Sequence, residues 1–452
     1  MAAARSILVV LFLGVLLGAL DIAVVGPALP AIRESFGLGS RALSWVFSIY
    51  VLFYLVGAPL LAKVSDRQGR RTVYAASMGL FAVGSLIVAL TPTFGLLLFG
   101  RAVQAFGAGG IFPVASAVIA ETVPAERRGR VLGLIGAVFG LAFLLGPLLG
   151  GLLLRFGWQW LFLVNVPIAA ALVVVGFKTL PGTTAEKPAA FDAFGAALLS
   201  VALAALVWGI SELDTADLAT SLASERVWPS LLLVAIAVPL FWRAERSAAD
   251  PVLHPDLFRS KQLRLVGAIA LAAGLVEAGM VFLPNVAVIG LSVEASTASL
   301  MMLPLVLTLT IGAPLAGQML DRAGARPVVQ VGLGLTVLGL VLFASLPLNT
   351  LSFYLAGGAI GFGLSGLLGA PLRYITLQEA GESRRGAGQG LLTLFLSVGQ
   401  LVGSAVIGGV VGSNTNELGG YRHALLTVAI VCAAALVLSA ALRGKVGSGR
   451  TA

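Results

Sequence analysis

Charge is scarce in this chain: of its 452 residues 11% are Asp, Glu, Lys or Arg, while 58% are hydrophobic. A soluble domain carries about a quarter charged residues, so a water-facing surface able to cover this much apolar mass is excluded. Cysteine occurs once, as Cys432 inside the last apolar run, which excludes a disulfide framework and a cysteine metal site and leaves core packing. Histidine occurs twice, as His254 and His423, and neither sits where it could serve an intramembrane nucleophile as a base. No phosphate-loop motif is present, so any uphill work draws on an ion gradient and not on ATP. The net charge of +9 comes from short Lys and Arg clusters between apolar runs, without a continuous basic face, and so does not point to nucleic acid.

What the chain has in abundance is apolar runs of about 20 residues, the length that crosses a hydrocarbon layer about 30 Å thick. We place fourteen such spans, the first near 6–29 and the last near 421–442, with others at 130–154, 159–178, 296–319 and 350–378. The opening stretch with Arg5 imitates a secretory signal, but its apolar run continues past Asp21 to Pro30, and it reads as the first span. With both termini inside, most of the Lys and Arg fall in inner loops, among them Lys63, Arg67, Arg70 and Arg71 and the pair Arg127 and Arg128. The opposite orientation breaks the positive-inside rule.

Three separated pairs repeat at an offset of about 256 residues: Asp66 to Arg71 with Asp321 to Arg326, Arg127 to Gly129 with Arg384 to Gly386, and Asp21 with Glu277. A shared offset of that length reads as two parallel, related halves. The expected fold is therefore an all-α membrane protein of two pseudo-symmetric six-helix bundles plus two inserted helices. Its parts are residues 1–179, an inserted pair within 180–245, and 246–452, where a polar stretch from Arg243 to Arg264 is expected to lie along the inner surface.

The chain resembles the major facilitator superfamily, and within it the fourteen-span drug:proton antiporter branch, over essentially its whole length. The resemblance rests on Leu20-Asp21 through Pro30, on the loop Asp66-Arg67-Gln68-Gly69-Arg70-Arg71, on Arg101-Ala-Val-Gln104-Ala-Phe-Gly107, and on Gly133, Gly146-Pro147 and Gly150-Gly151. Trp158 through Asn165 to Pro167 is similar to the fourteen-span branch in particular. Departures are Ala62, Ala105 and Ala142 where the family usually has glycine. The resemblance implies that Arg101 and Gln104 belong to proton coupling, against the alternative of an arginine snorkelling to the outer face. It also makes Gly146, Pro147, Gly150 and Gly151 an antiporter motif, a hinge or sealed helix contact where generic packing is the alternative.

Two membrane carboxylates carry the functional reading. A charge in mid-helix costs roughly 2.5–3.5 kcal/mol on insertion scales, so Asp21 and Glu277 need a task or a partner. Either loads and releases a coupling proton, or each ties helices together through fixed hydrogen bonds; Glu277 also suits a cationic substrate. Asp66, Gly69, Arg70, Glu121, Arg128 and Asp321 sit at inner helix ends, where carboxylates can bond helix N-termini and arginines as a conformational latch, or simply set topology. Tyr50, Tyr54, Asn285 and Gln400 are candidates for the substrate cavity, with ordinary packing as the alternative. Gly361-Phe-Gly363-Leu-Ser365-Gly366 fits a dinucleotide fingerprint and a serine-protease motif, but lies inside an apolar span, where neither chemistry has its surroundings.

The expected activity is proton-coupled export of small hydrophobic or amphiphilic, in part cationic, compounds, with lipid, glycolipid or metabolite export on the same scaffold as the alternative. No metal or cofactor is expected beyond the proton gradient. Partners are a small-molecule substrate, protons and membrane lipid, not nucleic acid; the chain is expected to be monomeric in a bacterial inner membrane, and not an enzyme.

Overall fold

A computed structural model describes residues 2–182, 192–215, 217–248, 251, 254–381 and 384–444; side chains of 2–5, of much of 125–139, and of 193 and 385 fall outside that description. Among the described residues there is no strand. The helices are α1 (Ala2–Phe36), α2 (Ser40–Gln68), α3 (Arg70–Leu90), α4 (Phe94–Thr122), α5 (Ala125–Leu153), α6 (Trp160–Leu163), α7 (Asn165–Thr179), α8 (Ala193–Ser211) and α9 (Leu218–Leu222). They continue as α10 (Trp228–Ser247), α11 (Lys261–Leu291), α12 (Ala295–Leu300), α13 (Leu303–Ala323), α14 (Ala325–Ser345), α15 (Thr350–Leu368), α16 (Ala370–Ala380), α17 (Arg385–Gly412) and α18 (Glu417–Ser439).

Thirteen helical stretches are long and apolar enough to cross a membrane, and α5 contributes a shorter apolar stretch from Gly140. The thirteen to fourteen crossings agree with the expected architecture. Three spans that read as continuous runs are broken, at Val164, at Met301 and Met302, and at Gly369. Each restarts with a proline in its first turn, Pro167, Pro304 and Pro371, where the missing N–H costs nothing. Pro27 and Pro30 lie inside α1 without interrupting it. Hydropathy does not distinguish the two situations.

Packing divides the chain into two units. The first is Met1–Ala205, Leu232–Val252 and Val293–Leu300; the second is Leu206–Leu231, Leu253–Ser292 and Met301–Ala452. Within the first unit α4 packs on α2 and α3, α1 on α5, and α3 on α7. Within the second the same scheme recurs: α15 packs on α13 and α14, α11 on α17, and α14 on α18. The turns between paired helices match as well. Gly69 and Gly324 both take positive φ, +94° and +86°, and both donate their N–H to the carbonyl four residues back, on Ser65 and Leu320.

The polar stretch from Arg243 differs from its expected form at both ends: α10 runs on to Ser247 and α11 begins at Lys261, with a short 3-10 turn, Pro255–Arg259, between them. Ser260 caps α11 by accepting from the Leu263 N–H (3.3 Å) and donates to Glu379 (2.6 Å) at the end of α16. Glu379 also accepts from Arg443 (2.8 Å), and Gln262 bonds the Ala441 carbonyl and the Arg443 N–H, so the segment after α18 is tied to the start of α11.

Candidate functional site

Asp21 in the middle of α1 and Arg101, two turns into α4, have side chains 0% exposed and are joined at 2.7 Å through Arg101 Nη1 and Asp21 Oδ2. One turn along α4, Gln104 accepts from the same Nη1 (2.7 Å) and donates through Nε2 to Asp21 Oδ1 (2.7 Å) and to Ser85 Oγ (2.8 Å) on α3. Asn165, the first residue of α7, donates to Asp21 Oδ1 (3.2 Å). The guanidinium lies 4.1 Å from the centre of the Tyr50 ring on α2 and 5.6 Å from that of Phe162 on α6. Six helices thus meet on one ion pair.

The approach of α3 to α4 makes this possible. A Cβ on Gly84 would collide with the Gln104 backbone, so only glycine lets Ser85 come within reach of the amide. Taking two charges out of water costs several kcal/mol each, and here the cost is offset by the direct pair, the amides of Gln104 and Asn165, the Val46 carbonyl that accepts from Arg101 Nε (3.4 Å) and two aromatic faces. Arg101 Nη2 and the Tyr50 hydroxyl are the exceptions, buried without a hydrogen-bond partner.

The second carboxylate is placed quite differently. Glu277 on α11 is half-buried, and its one hydrogen-bond partner among the described residues is the neutral amide of Gln400 on α17 (3.1 Å). No arginine or lysine pairs with it among the described ion pairs. Asn285, two turns further along α11, is buried and donates to the Tyr421 hydroxyl on α18 (2.6 Å). Tyr50 is likewise buried, its ring stacked on that of Tyr54 with centroids 6.4 Å apart.

At the other end of the first unit, Arg70 opens α3 and reaches three partners: Asp66, Ser65 Oγ (2.7 Å) and Glu121 Oε1 (3.0 Å) at the end of α4. Gly69 makes the turn that aims it. A side chain at that φ is strained by about 1–3 kcal/mol, and Gly69→Ala is therefore expected to lower the unfolding temperature in detergent by several degrees. An unchanged melting curve would show that the turn relaxes freely. Asp321 is exposed at the end of α13, and no described contact brings it an arginine. The side chain of Arg128 lies outside the described residues, as does Gly133.

Gly146, Gly150 and Gly151 of α5 sit where neighbouring backbone or side chains press close. A Cβ on Gly146 would lie 2.7 Å from that of Ala23 on α1, Gly150 faces Pro27 and Ser299, and Gly151 faces Leu300. Ser299 on α12 donates to the carbonyl of Pro147 (2.8 Å), a contact that fixes α12 on α5. Sequence reasoning did not single out Ser85, Ser299 or the cluster around Glu379. It quoted Asn165 only as part of a motif, although a lone amide opening an apolar span was signal enough to suspect a buried acceptor.

Comparison with known proteins agrees with this geometry. The model of the Major Facilitator Superfamily matches residues 11–403 and again 265–450. An uncharacterized MFS-type transporter of Bacillus subtilis (strain 168), YfiU, is 35% identical over 90% of this chain and 80% of its own. The multidrug resistance protein Stp of Mycobacterium tuberculosis (strain ATCC 25618 / H37Rv) is 29% identical over 89% of this chain and 74% of its own. A triacylglyceride transporter of Mycobacteroides abscessus (strain ATCC 19977) is 32% identical over 88% of this chain and 80% of its own. Among solved structures, a bacterial homolog of the human lysosomal transporter Spinster superposes with a TM-score of 0.67 at 16% identity, covering 97% of this chain and 96% of that one. With helices that pair alike in both units and a family model that matches nearly end to end, the chain is a multi-pass membrane transporter, and it belongs to the Major Facilitator Superfamily.

Proposed function

We propose that the protein is a proton-coupled antiporter that exports small hydrophobic or amphiphilic compounds by alternating access, from a bacterial inner membrane with both termini in the cytoplasm. The observation that carries this reading is the contrast between the two membrane carboxylates. Asp21 is matched by Arg101 and by two neutral donors, the amides of Gln104 and Asn165. Among the described residues Glu277 has the amide of Gln400 alone.

A proton delivered to Asp21 leaves Arg101 as an uncompensated buried charge, which is costly enough to drive the surrounding helices into another arrangement. Glu277, half-buried and without a cation, is suited to take the proton or a cationic group of the substrate in turn. The latch of Arg70 with Asp66 and Glu121 is the element that such a rearrangement would make and break. The protein is taken to work as a monomer.

Dye efflux from liposomes holding the purified protein tests the reading. An imposed pH gradient is expected to drive a lipophilic dye uphill; transport indifferent to the gradient would refute antiport. Lipid export is the second reading, favoured by the likeness to the triacylglyceride transporter. A deletion strain that accumulates a labelled neutral lipid while keeping normal dye resistance would support it over drug efflux.

A further inference from the structure

Trp158, Phe162 and Asn165, all within one short stretch of the first unit, are buried. Steps of four and three residues set them on one face of the chain as it enters α6 and α7. One end of the stretch touches both members of the ion pair: Asn165 donates to Asp21 Oδ1 (3.2 Å), and the Phe162 ring lies 5.6 Å from the Arg101 guanidinium. Towards the other end, Phe162 meets the Trp158 ring edge to face with centroids 6.1 Å apart. The Trp158 indole N–H donates to Ser35 Oγ (3.0 Å) near the end of α1. Phe36, the last residue of α1, stands 6.0 Å from Trp158 and 6.3 Å from Phe94, the first residue of α4. The stretch therefore meets α1 and α4 twice, at their ion pair and at the end where α1 stops and α4 starts.

We infer that Asn165 is a positioning residue for the Asp21 carboxyl, and that the stretch Trp158–Asn165 links the charge on that carboxyl to the packing of Trp158 against α1. The inference rests on the coupling role proposed for Asp21 and adds the part of the chain that responds to it. A hydrogen bond to a carboxylate is about twice as strong as one to a neutral oxygen. Protonation of Asp21 thus loosens its hold on Asn165. It also leaves Arg101 to the faces of Tyr50 and Phe162 and to neutral oxygens of Val46 and Gln104. Both changes act on the same face, at positions three residues apart, and the Trp158 ring is next along it. In a close-packed interior a displaced ring moves its neighbour.

Among the described residues, Arg101 of α4 and Tyr50 of α2 are the charged or titratable groups that face Asp21. The described side chains of α5, α6 and α12 include none, and Lys178 lies at the far end of α7. At the Trp158 end, Arg33 and Glu34 precede Ser35, and Arg155 lies one turn before Trp158 in sequence.

The test is a pH titration of the intrinsic fluorescence of the purified protein in detergent, the Trp158 signal being the difference between wild type and Trp158→Phe. That signal is expected to change in a single step as the medium is acidified within the range where melting curves show the protein folded. The double variant Asp21→Asn, Arg101→Met should lack the step, although it keeps Glu34 and Arg155. In Asn165→Leu the step should come about one pH unit higher, because the ionised carboxylate has lost a donor. A purely structural role for Asn165 would lower the melting temperature and leave the step where it was. Asn165→Ala carries the comparison if Asn165→Leu does not fold. A silent Trp158, a step that survives in the double variant, or an unmoved step in a folded Asn165 variant would overturn the inference. Efflux from liposomes separates it from antiport. A wild type with the expected steps whose transport ignores the gradient refutes antiport and leaves the linkage standing; one that pumps while Trp158 stays silent refutes the linkage alone.

Discussion

Asp21→Asn is expected to abolish uphill efflux: in liposomes with a gradient of about 100 mV, worth roughly 2.3 kcal/mol per proton, the accumulation ratio should fall from tens-fold to about one. Two effects of the substitution need separating. Asparagine cannot carry the proton, and it also leaves Arg101, 0% exposed, without its counter-charge. Breaking a buried pair from one side costs about 3–5 kcal/mol, so the variant should melt well below wild type. The double variant Asp21→Asn, Arg101→Met removes the stranded guanidinium as well, and on that argument it recovers much of the lost stability. It should still not pump. A double variant that is stable and transports uphill would relieve Asp21 of any coupling role and leave Glu277 as the proton carrier.

How far this arrangement was legible in the sequence depends on the kind of information each part requires. Membrane spans and the two related halves could be read because they are one-dimensional signals: run length, charge between runs, and Asp66 to Arg71 returning as Asp321 to Arg326. The family resemblance assigned Arg101 and Gln104 to coupling without giving them Asp21 as a partner, and it is the hydrogen bonds that bring the three together. Ser85 was illegible because a serine in an apolar helix has its own helix's carbonyl to bond, here that of Phe81. Only the closeness of α3 and α4 at Gly84 turns it toward Gln104. The breaks at Val164 and Gly369 were hidden for the opposite reason, since apolar residues continue across them and only the backbone departs from the helix. The binding of Arg443 to Glu379 and Gln262 depends on where the chain's last described turn arrives, and no local pattern specifies that.

Gly274→Val is expected to abolish the folded protein, while Gly279→Ala five residues along the same helix is tolerated. Both changes replace glycine inside α11 by a residue of higher helix propensity, so helix formation alone predicts gain at both positions. Packing reverses the sign at the first. A Cβ on Gly274 collides with the Leu396 carbonyl and comes within 2.9 Å of the Gln400 N–H, while a Cβ on Gly399 collides with the Leu271 carbonyl. Here α11 and α17 touch backbone to backbone, and neither has a flexible side chain to move aside. A Cβ on Gly279 meets only Leu425 and Ile407 side chains, at 3.6 and 3.9 Å. Overpacking typically costs about 1–3 kcal/mol, and more where backbone must shift. Any shift that spares the fold draws Gln400 away from Glu277, whose 3.1 Å hydrogen bond lies one turn beyond the crossing. The milder Gly274→Ala reads this second consequence: if it is stably inserted, uphill transport should fall by about tenfold or more, a loss on the scale of one hydrogen bond to a charged group. Full activity in a folded Gly274→Ala would mean that Glu277 does not need Gln400, and that the crossing of α11 and α17 serves assembly alone.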